Sequence, residues 1–446
     1  MIQTLFTEYV EKYFRLIVGM ITEKFNDKSK EPELRHKSML REEYSADMTW
    51  GSTNINHNII AADVVSMDSR LPLKKRDTLS RASGKLPKLG IKFRKGEKDI
   101  SDINVMIARG TEESTVAAKI FDDTEKAIKG VDVRTEIMFL QALSTGICLV
   151  ENDENDGTGI RVDFGYKEEN TMHAIVAAWG EATATPVDDL RQMFDKADED
   201  GNSIGYMYIS KKRLDNIRNN TQGKELVARY LNIVYTSTDT LTVPSRATLL
   251  DALKDEFGAT FEIVDSTFKT QNADGSFQSV KPFAEDNVIG VPDKVVGRLV
   301  YGTLVEETNP VAAVRYEKSG SHILVSKFST NEPFAEFTAA QSICLPVIDG
   351  VENIYILHTD STGSALSLNP STMSFTAAAG TKTADIHYDG SVGDLTVSSS
   401  ETWATVTRKG DKLTVKVSAN SSSSRTATIT VTDGTASATI SVSQSA

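Results

Sequence analysis

Few residues in this chain could carry chemistry, and their spacing argues against most of it. Gly201-Asn202-Ser203-Ile204-Gly205 has the form of a nucleophile elbow, which requires a strand before the serine and a helix after it. Here an acidic, helix-like stretch precedes the serine and the strand-like Tyr206-Met207-Tyr208 follows. The setting is inverted, and the segment reads as a turn. Asp198-Glu199-Asp200-Gly201 resembles part of a calcium loop, which needs acids at its first and twelfth positions. Aligned on Gly201, those positions hold Lys196 and Met207. Gly157-Thr158-Gly159 lacks the third glycine and the strand-to-helix setting of a dinucleotide loop, and Gly84 to Gly90 lacks the Gly-Lys-Ser/Thr ending of a phosphate loop. The six histidines (His36, His57, His173, His322, His358 and His387) show no metal-ligand spacing, and His173 and His358 sit beside apolar residues that suit packing. Cys148 and Cys344 are far apart, each in an apolar stretch, as expected of buried reduced thiols in a reducing compartment. No enzyme, cofactor or metal centre is expected.

One charged constellation remains. Arg70, Lys74, Lys75, Arg76, Arg81, Lys85 and Lys88 are relieved only by Asp77, and Gly84 and Pro87 break any helix among them. Three uses are open: nucleic-acid binding, docking on an acidic neighbour, or a solvated loop. Base-stacking aromatics are nearly absent, with Phe93 alone. The chain carries a formal net charge of −13, which disfavours general phosphate neutralisation and favours docking between complementary patches.

The elements that must position this segment can be outlined from periodicity. Ile2, Leu5, Phe6, Tyr9, Val10, Tyr13, Phe14, Ile17, Met20 and Ile21 recur at helical spacing. This amphipathic helix needs a partner surface, on its own domain or on a neighbour. Its longest apolar run, Leu16 to Ile21, is far short of a bilayer span, and the first 25 residues lack the pattern of an export signal; folding in a cytoplasm is expected. Ile59 to Met67 and Gly90 to Arg94 read as strands. Residues 70 to 98 hold little apolar content and are expected to lie extended over another copy of the molecule. One long helix is expected from Glu112 to Gly146, which at 1.5 Å per residue spans about 50 Å, with Gly130 a weak point midway. A hairpin from Ile147 to Val150 and Ile160 to Phe164 follows. Mixed helices and strands run from Pro186 to about 300, with Ser210 and Ser245 as helix caps. Short strands return at His322 to Phe328 and Ile354 to His358. From Ser364 onward 32 of 83 residues are Ser or Thr. There Lys412 to Val417, Thr426 to Thr432 and Ser437 to Val442 alternate with period two, as in a small antiparallel sandwich.

This order of parts resembles the lambda-type branch of tailed-phage major capsid proteins, which share the Hong Kong 97 capsid fold. The residues carrying the resemblance are Leu86-Pro87-Lys88-Leu89-Gly90-Ile91-Lys92, Arg134-Thr135-Glu136, Gln141-Ala142-Leu143-Ser144-Thr145-Gly146, Ile160-Arg161-Val162-Asp163-Phe164-Gly165, Val291-Pro292 and Leu345-Pro346-Val347. The last domain resembles the BACON module, an immunoglobulin-like sandwich, through Trp403, Asn420, Arg425 and Gln444. The resemblance implies an α+β capsid fold with a C-terminal all-β domain. Its parts would be residues 1–60 as N-terminal arm, 61–100 as E-loop and 101–184 as P domain with the spine helix. Residues 185–295 would be the A domain, 296–360 the return to the P domain and 364–446 the BACON domain.

By the same resemblance the chain is a structural protein of the virion. It would assemble in the bacterial cytoplasm into hexamers and pentamers around packaged double-stranded DNA, without sequence-specific contacts, aided by a scaffolding protein and a portal. The basic E-loop residues named above would make the inter-subunit contact. The C-terminal domain would face outward, with Trp403 and Arg425 as a candidate site for host or mucus glycans, although the Trp403 ring also suits a core position. Two alternatives stand: a carbohydrate-binding surface protein, and an encapsulin-like nanocompartment shell. No membrane partner is implied.

Overall fold

In the computed structural model the described residues are 4–25, 34–54, 80–150, 160–237, 241–272, 275–362, 367–370, 372–387, 395–432 and 437–446. The chain divides into two compact units, Met1–Asn170 with Arg191–Ile356, and Thr171–Leu190 with Leu357–Ala446.

The first unit is built around one long strand, Phe334–Ile348. Its first half pairs antiparallel with Ile323–Asn331 and with Lys88–Lys95, and its second half pairs with Gly297–Gly302. Leu40–Tyr44 adds to the sheet in parallel beside Gly297–Gly302, and Arg315–Ser319 closes the other edge. The spine helix Asp122–Thr145 lies on this sheet, and from Ile137 to Leu140 every residue is buried. It stops at Gly146, whose left-handed backbone (φ 73°) lets its N–H return to the Ala142 carbonyl. Gly130 has a packing reason: a Cβ there would lie 3.1 Å from Ile91 Cδ1, so the glycine admits the strand Lys88–Lys95 against the helix.

Two expectations are corrected here. Lys88–Lys95 has an interior of its own chain, with Leu89 buried and Ile91 and Phe93 packed on the main core. The local composition is polar because one face of this strand is exposed; long-range pairing supplied what the segment lacked. The helix from Glu112 to Gly146 is two helices, Glu113–Ile120 and Asp122–Thr145, parted at Phe121. Phe121 is buried and stacks on Phe14 at 5.9 Å. Lys327 donates from Nζ to the Ile120 carbonyl at 3.3 Å, capping the first helix with a cation, while Asp122 and Asp123 open the second and pair with Lys95. The helices Glu97–Ala108 and Thr221–Tyr230 were not anticipated; each is short and shows only a few buried positions.

The N-terminal helix, Thr7–Phe25, lays Val10, Phe14 and Val18 into the main core of its own unit. Its entry is held by Glu336, which accepts from Thr4 Oγ1 at 2.5 Å and from the Leu5 N–H at 3.1 Å. Elsewhere in this unit Tyr206–Ile209 pairs in parallel with Thr260–Ile263 and antiparallel with Asn287–Val291. Ser210 and Ser245 cap Lys211–Asn219 and Arg246–Phe257 as expected, accepting from Arg213 N and Thr248 N. Ile147–Val150 and Ile160–Asp163 form the expected hairpin. Both cysteines are buried and free, and burial pushes the Cys148 thiol up to about 12 and that of Cys344 to about 11.

In the second unit the C-terminal chain forms two four-stranded sheets. One runs in the order Ser367–Asn369, Gly380–His387, Lys412–Val417, Ala404–Lys409; the other Thr372–Phe375, Ser437–Gln444, Arg425–Thr432, Thr396–Ser399. Leu413, Val415, Val417, Ile429, Val431, Ile440 and Val442 fill the space between them, one residue in two along each strand. Among the described residues no helix is long and apolar enough to cross a membrane.

The fully buried Lys327 is a test of how the first unit balances charge. Its Nζ is 3.9 Å from Glu336 Oε1 and 3.0 Å from Thr338 Oγ1. Burial outweighs the attraction of Glu336 and drives the ammonium down to about 8. Because the folded value lies below the unfolded 10.5, the unfolded chain binds more protons between those limits, so stability rises with pH across that window. Lys327→Met should cost about 3 kcal/mol by stranding the Glu336 carboxylate and should flatten that rise. Adding Glu336→Gln should recover most of the loss. Urea unfolding at pH 7.5 and pH 10 measures both effects.

Candidate assembly surface

The described end of the basic segment enters a two-stranded ribbon, Thr49–Asn54 against Ser80–Lys85, in a register that puts Thr49 opposite Lys85 and Asn54 opposite Ser80. Its root is a buried indole. Trp50 is only 6% exposed, sits in the main core, and meets the Phe164 ring at 5.6 Å. Gly84 faces it across the ribbon, and a Cβ there would come within 2.9 Å of the indole Nε1. Only glycine leaves that space. Past the ribbon, the Leu86 N–H donates to the Met48 carbonyl at 2.9 Å.

A second fastening is Arg298. Its Nε and Nη2 donate to Asp349 at 2.7 and 2.9 Å, its Nη1 to Glu43 at 2.6 Å, and its Nη2 also to the Gly51 carbonyl at 2.9 Å. The Asp349 carboxylate, then Glu43, hold this guanidinium even more firmly in its charged form. One fork thereby joins the edge strand Leu40–Tyr44, the turn after the long strand and the ribbon itself. Such a planar, multi-donor clamp is work that lysine does poorly.

Of the expected contact residues, Arg70, Lys74, Lys75 and Arg76 lie outside the described residues. Arg81 stands opposite Thr53 in the ribbon. Lys85 is exposed. Lys88 is exposed and pairs with Glu306 of its own chain at 3.1 Å. The Glu306 carboxyl is held low by its own backbone N–H and by Lys88. Sequence reading missed Trp50 and Arg298. A lone tryptophan between Thr49 and Gly51 was the available signal for the first. Arg298 had none, because its partners are 51 and 255 residues away.

In the C-terminal module Trp403 and Arg425 do come together. The guanidinium lies 4.2 Å from the centre of the half-buried ring, and donates to Gln444 Oε1 at 2.8 Å and to the Ser418 carbonyl at 2.8 Å. Gln444, almost fully buried, donates in turn to the carbonyls of Thr376, Ala378 and Ser418. Asn420 donates to the carbonyls of Ser423 and Ser445. The four residues that carried the BACON resemblance therefore lock loops and strand ends together, with one ring face of Trp403 under an arginine.

Two substitutions measure these fastenings. Trp50→Ala should destabilise the first unit by about 3–5 kcal/mol through the cavity it leaves, read as a lower urea midpoint. Arg425→Ala should cost the C-terminal module on the order of 1–3 kcal/mol, because Gln444 Oε1 loses its donors while remaining buried; calorimetry of the full chain reads this as a lowered transition.

Comparison with known proteins gives a family match over most of the chain. The family described as Phage major capsid protein E matches residues 20–347. The BACON family, assigned as a binding domain, matches residues 394–445. Among solved structures, a protein assigned to the capsid of a prophage in Escherichia coli CFT073 is similar at 13% identity, covering 77% of this chain and 98% of its own, with a TM-score of 0.47. A phage-related protein from Bordetella bronchiseptica RB50 is similar at 11% identity over 77% and 96%, with a TM-score of 0.43. The capsid of cyanophage A-1(L) is similar at 11% identity over 73% and 90%, with a TM-score of 0.40. No curated protein sequence matches significantly.

Proposed function

This chain belongs to the phage major capsid protein E family, and from that membership we propose that its copies join as hexamers and pentamers, closing an icosahedral shell around packaged double-stranded DNA. It is a structural component of the virion capsid. The single observation carrying the reading is the match across residues 20–347, which includes the basic ribbon, the spine helix and the long strand up to Val347. We assign residues 61–100 to the E-loop, 101–184 and 296–360 to the P domain, and 185–295 to the A domain. A scaffolding protein and a portal are the partners during assembly.

Within this reading the E-loop docks on the acidic body of a neighbouring subunit. Two features support it. The strands Thr49–Asn54 and Ser80–Lys85, on either side of the loop in sequence, are fixed by Trp50 and Arg298. The whole chain is strongly acidic, so a neighbour presents the complementary sign. Negative-stain microscopy of the expressed chain, alone or with its scaffolding protein, should show closed particles, tubes or capsomers. A compact monomer under all conditions would overturn the proposal. Replacing Lys74, Lys75 and Arg76 with Glu should leave the monomer folded, since exposed charges contribute little to stability. It should weaken assembly at least tenfold, and assembly of the parent should already fall with added salt. Unchanged assembly by light scattering would show that the loop does not dock by charge.

The C-terminal module supports a second role, attachment to host or mucus glycans, through its match to a family assigned as a binding domain. Because Arg425 already lies on the Trp403 ring, a sugar at this place would meet the guanidinium edge and the remaining ring surface. A glycan array probed with the full chain should show binding that Arg425→Ala alters; no binding to any glycan would remove this role.

A further inference from the structure

The helix Thr221–Tyr230 is seated in the first unit by one face. Leu226, Val227 and Ala228 are buried, and Gly223 stands so close to the Ile217 carbonyl that a Cβ there would collide with it. Its end is as firmly made. The Asn232 N–H donates to the Arg229 carbonyl at 3.0 Å and the Ile233 N–H to the Ala228 carbonyl at 2.8 Å, while Asn232 takes the left-handed conformation at φ 53°. That pair of bonds is the Schellman stop, with asparagine in the place glycine usually fills.

What this stop presents to solvent is apolar. Leu231 and Ile233 are each 49% exposed, Val234 is 96% exposed, and Tyr230 beside them is exposed as well. Single exposed apolar residues are ordinary, whereas a run of them on a shaped tip marks a contact surface. The chain continues as Thr236-Ser237-Thr238-Asp239-Thr240, which is too polar to cover the tip.

Charge and area identify the occupant. No charged residue occurs from Tyr230 to Thr238, so the tip offers nothing to a phosphate backbone. Copies of a chain with a formal net charge of −13 repel one another over most of their surface. That repulsion is least where an uncharged tip meets its like. A stable pairwise interface buries roughly 800 Å² on each partner, far more than these few side chains provide, so two tips alone would not hold. Several tips pooled on a rotation axis would, because residues beside an axis meet their own equivalents from every copy. We propose that Tyr230–Val234 is a self-contact surface, packed against the same tip of neighbouring copies at the axis of each ring. The proposal rests on the shell reading above and adds to it the residues that gather at the ring centre.

Cross-linking and assembly of the full chain test it. Cys148 and Cys344 are buried, so Val234→Cys supplies the accessible thiol. Oxidation of assembled particles should then give covalent dimers on a non-reducing gel. They should exceed by about tenfold those from Ser101→Cys, which puts a thiol on the exposed face of Glu97–Ala108. Val234→Asp should leave the urea midpoint unchanged, since the side chain is exposed. It should weaken assembly about tenfold or more, because like charges would gather at one point. Particles forming as readily from Val234→Asp as from the parent, or no excess of dimers from Val234→Cys, would overturn the tip contact and leave the shell reading standing. Failure of the parent to assemble under any condition would overturn the shell reading and this proposal with it.

Discussion

The strand Phe334–Ile348 sets the terms for the rest of the first unit. It is flanked along both edges in its first half, so its backbone is satisfied only if Lys88–Lys95 and Ile323–Asn331 arrive from distant parts of the sequence. It also buries Glu336, and a buried carboxylate must be answered by donors. Thr4, Leu5 and, at longer range, Lys327 supply them. Those same contacts fix where the N-terminal helix starts, and Lys327 fixes where the first of the two stacked helices ends. One polar residue in the right strand thus organises three elements.

From there the chain of consequences reaches the ribbon. Because Lys88–Lys95 is locked into the sheet, the two strands leading up to it must leave from a fixed point beside the core, and Trp50 plugs that point. Arg298 adds a charged tie between the ribbon and the turn after the long strand. If the loop docks on a neighbouring copy as proposed, such a root reduces the freedom lost on docking.

Legibility of the sequence followed the range of the interactions. Elements whose cause is local were readable: the caps at Ser210 and Ser245, the stop at Gly146, and the alternating strands of the C-terminal sandwich, where Thr and Val repeat with period two. The amphipathic stripe of Thr7–Phe25 was readable as a helix, whereas its choice of partner surface was not. Non-local causes were invisible. The break at Phe121 depends on Lys327, some two hundred residues on, and the strand nature of Lys88 depends on Ile343. Gly130 looked like a flaw in a helix and is a seat for Ile91. For the assembly surface, the basic residues were visible as a cluster, but the residues that anchor the ribbon, Trp50 and Arg298, were not. In the C-terminal module the residues that carried the resemblance prove to be mutual fastenings.

The central proposal is that the basic residues between positions 70 and 88 meet another copy of the chain. A cryo-electron microscopy reconstruction of assembled particles, resolved well enough to trace residues 70 to 76, tests it most directly. The account predicts that Lys74, Lys75 and Arg76 lie within ion-pair distance of carboxylates on an adjacent subunit. Finding those side chains packed on their own subunit, with no neighbour in reach, would contradict it.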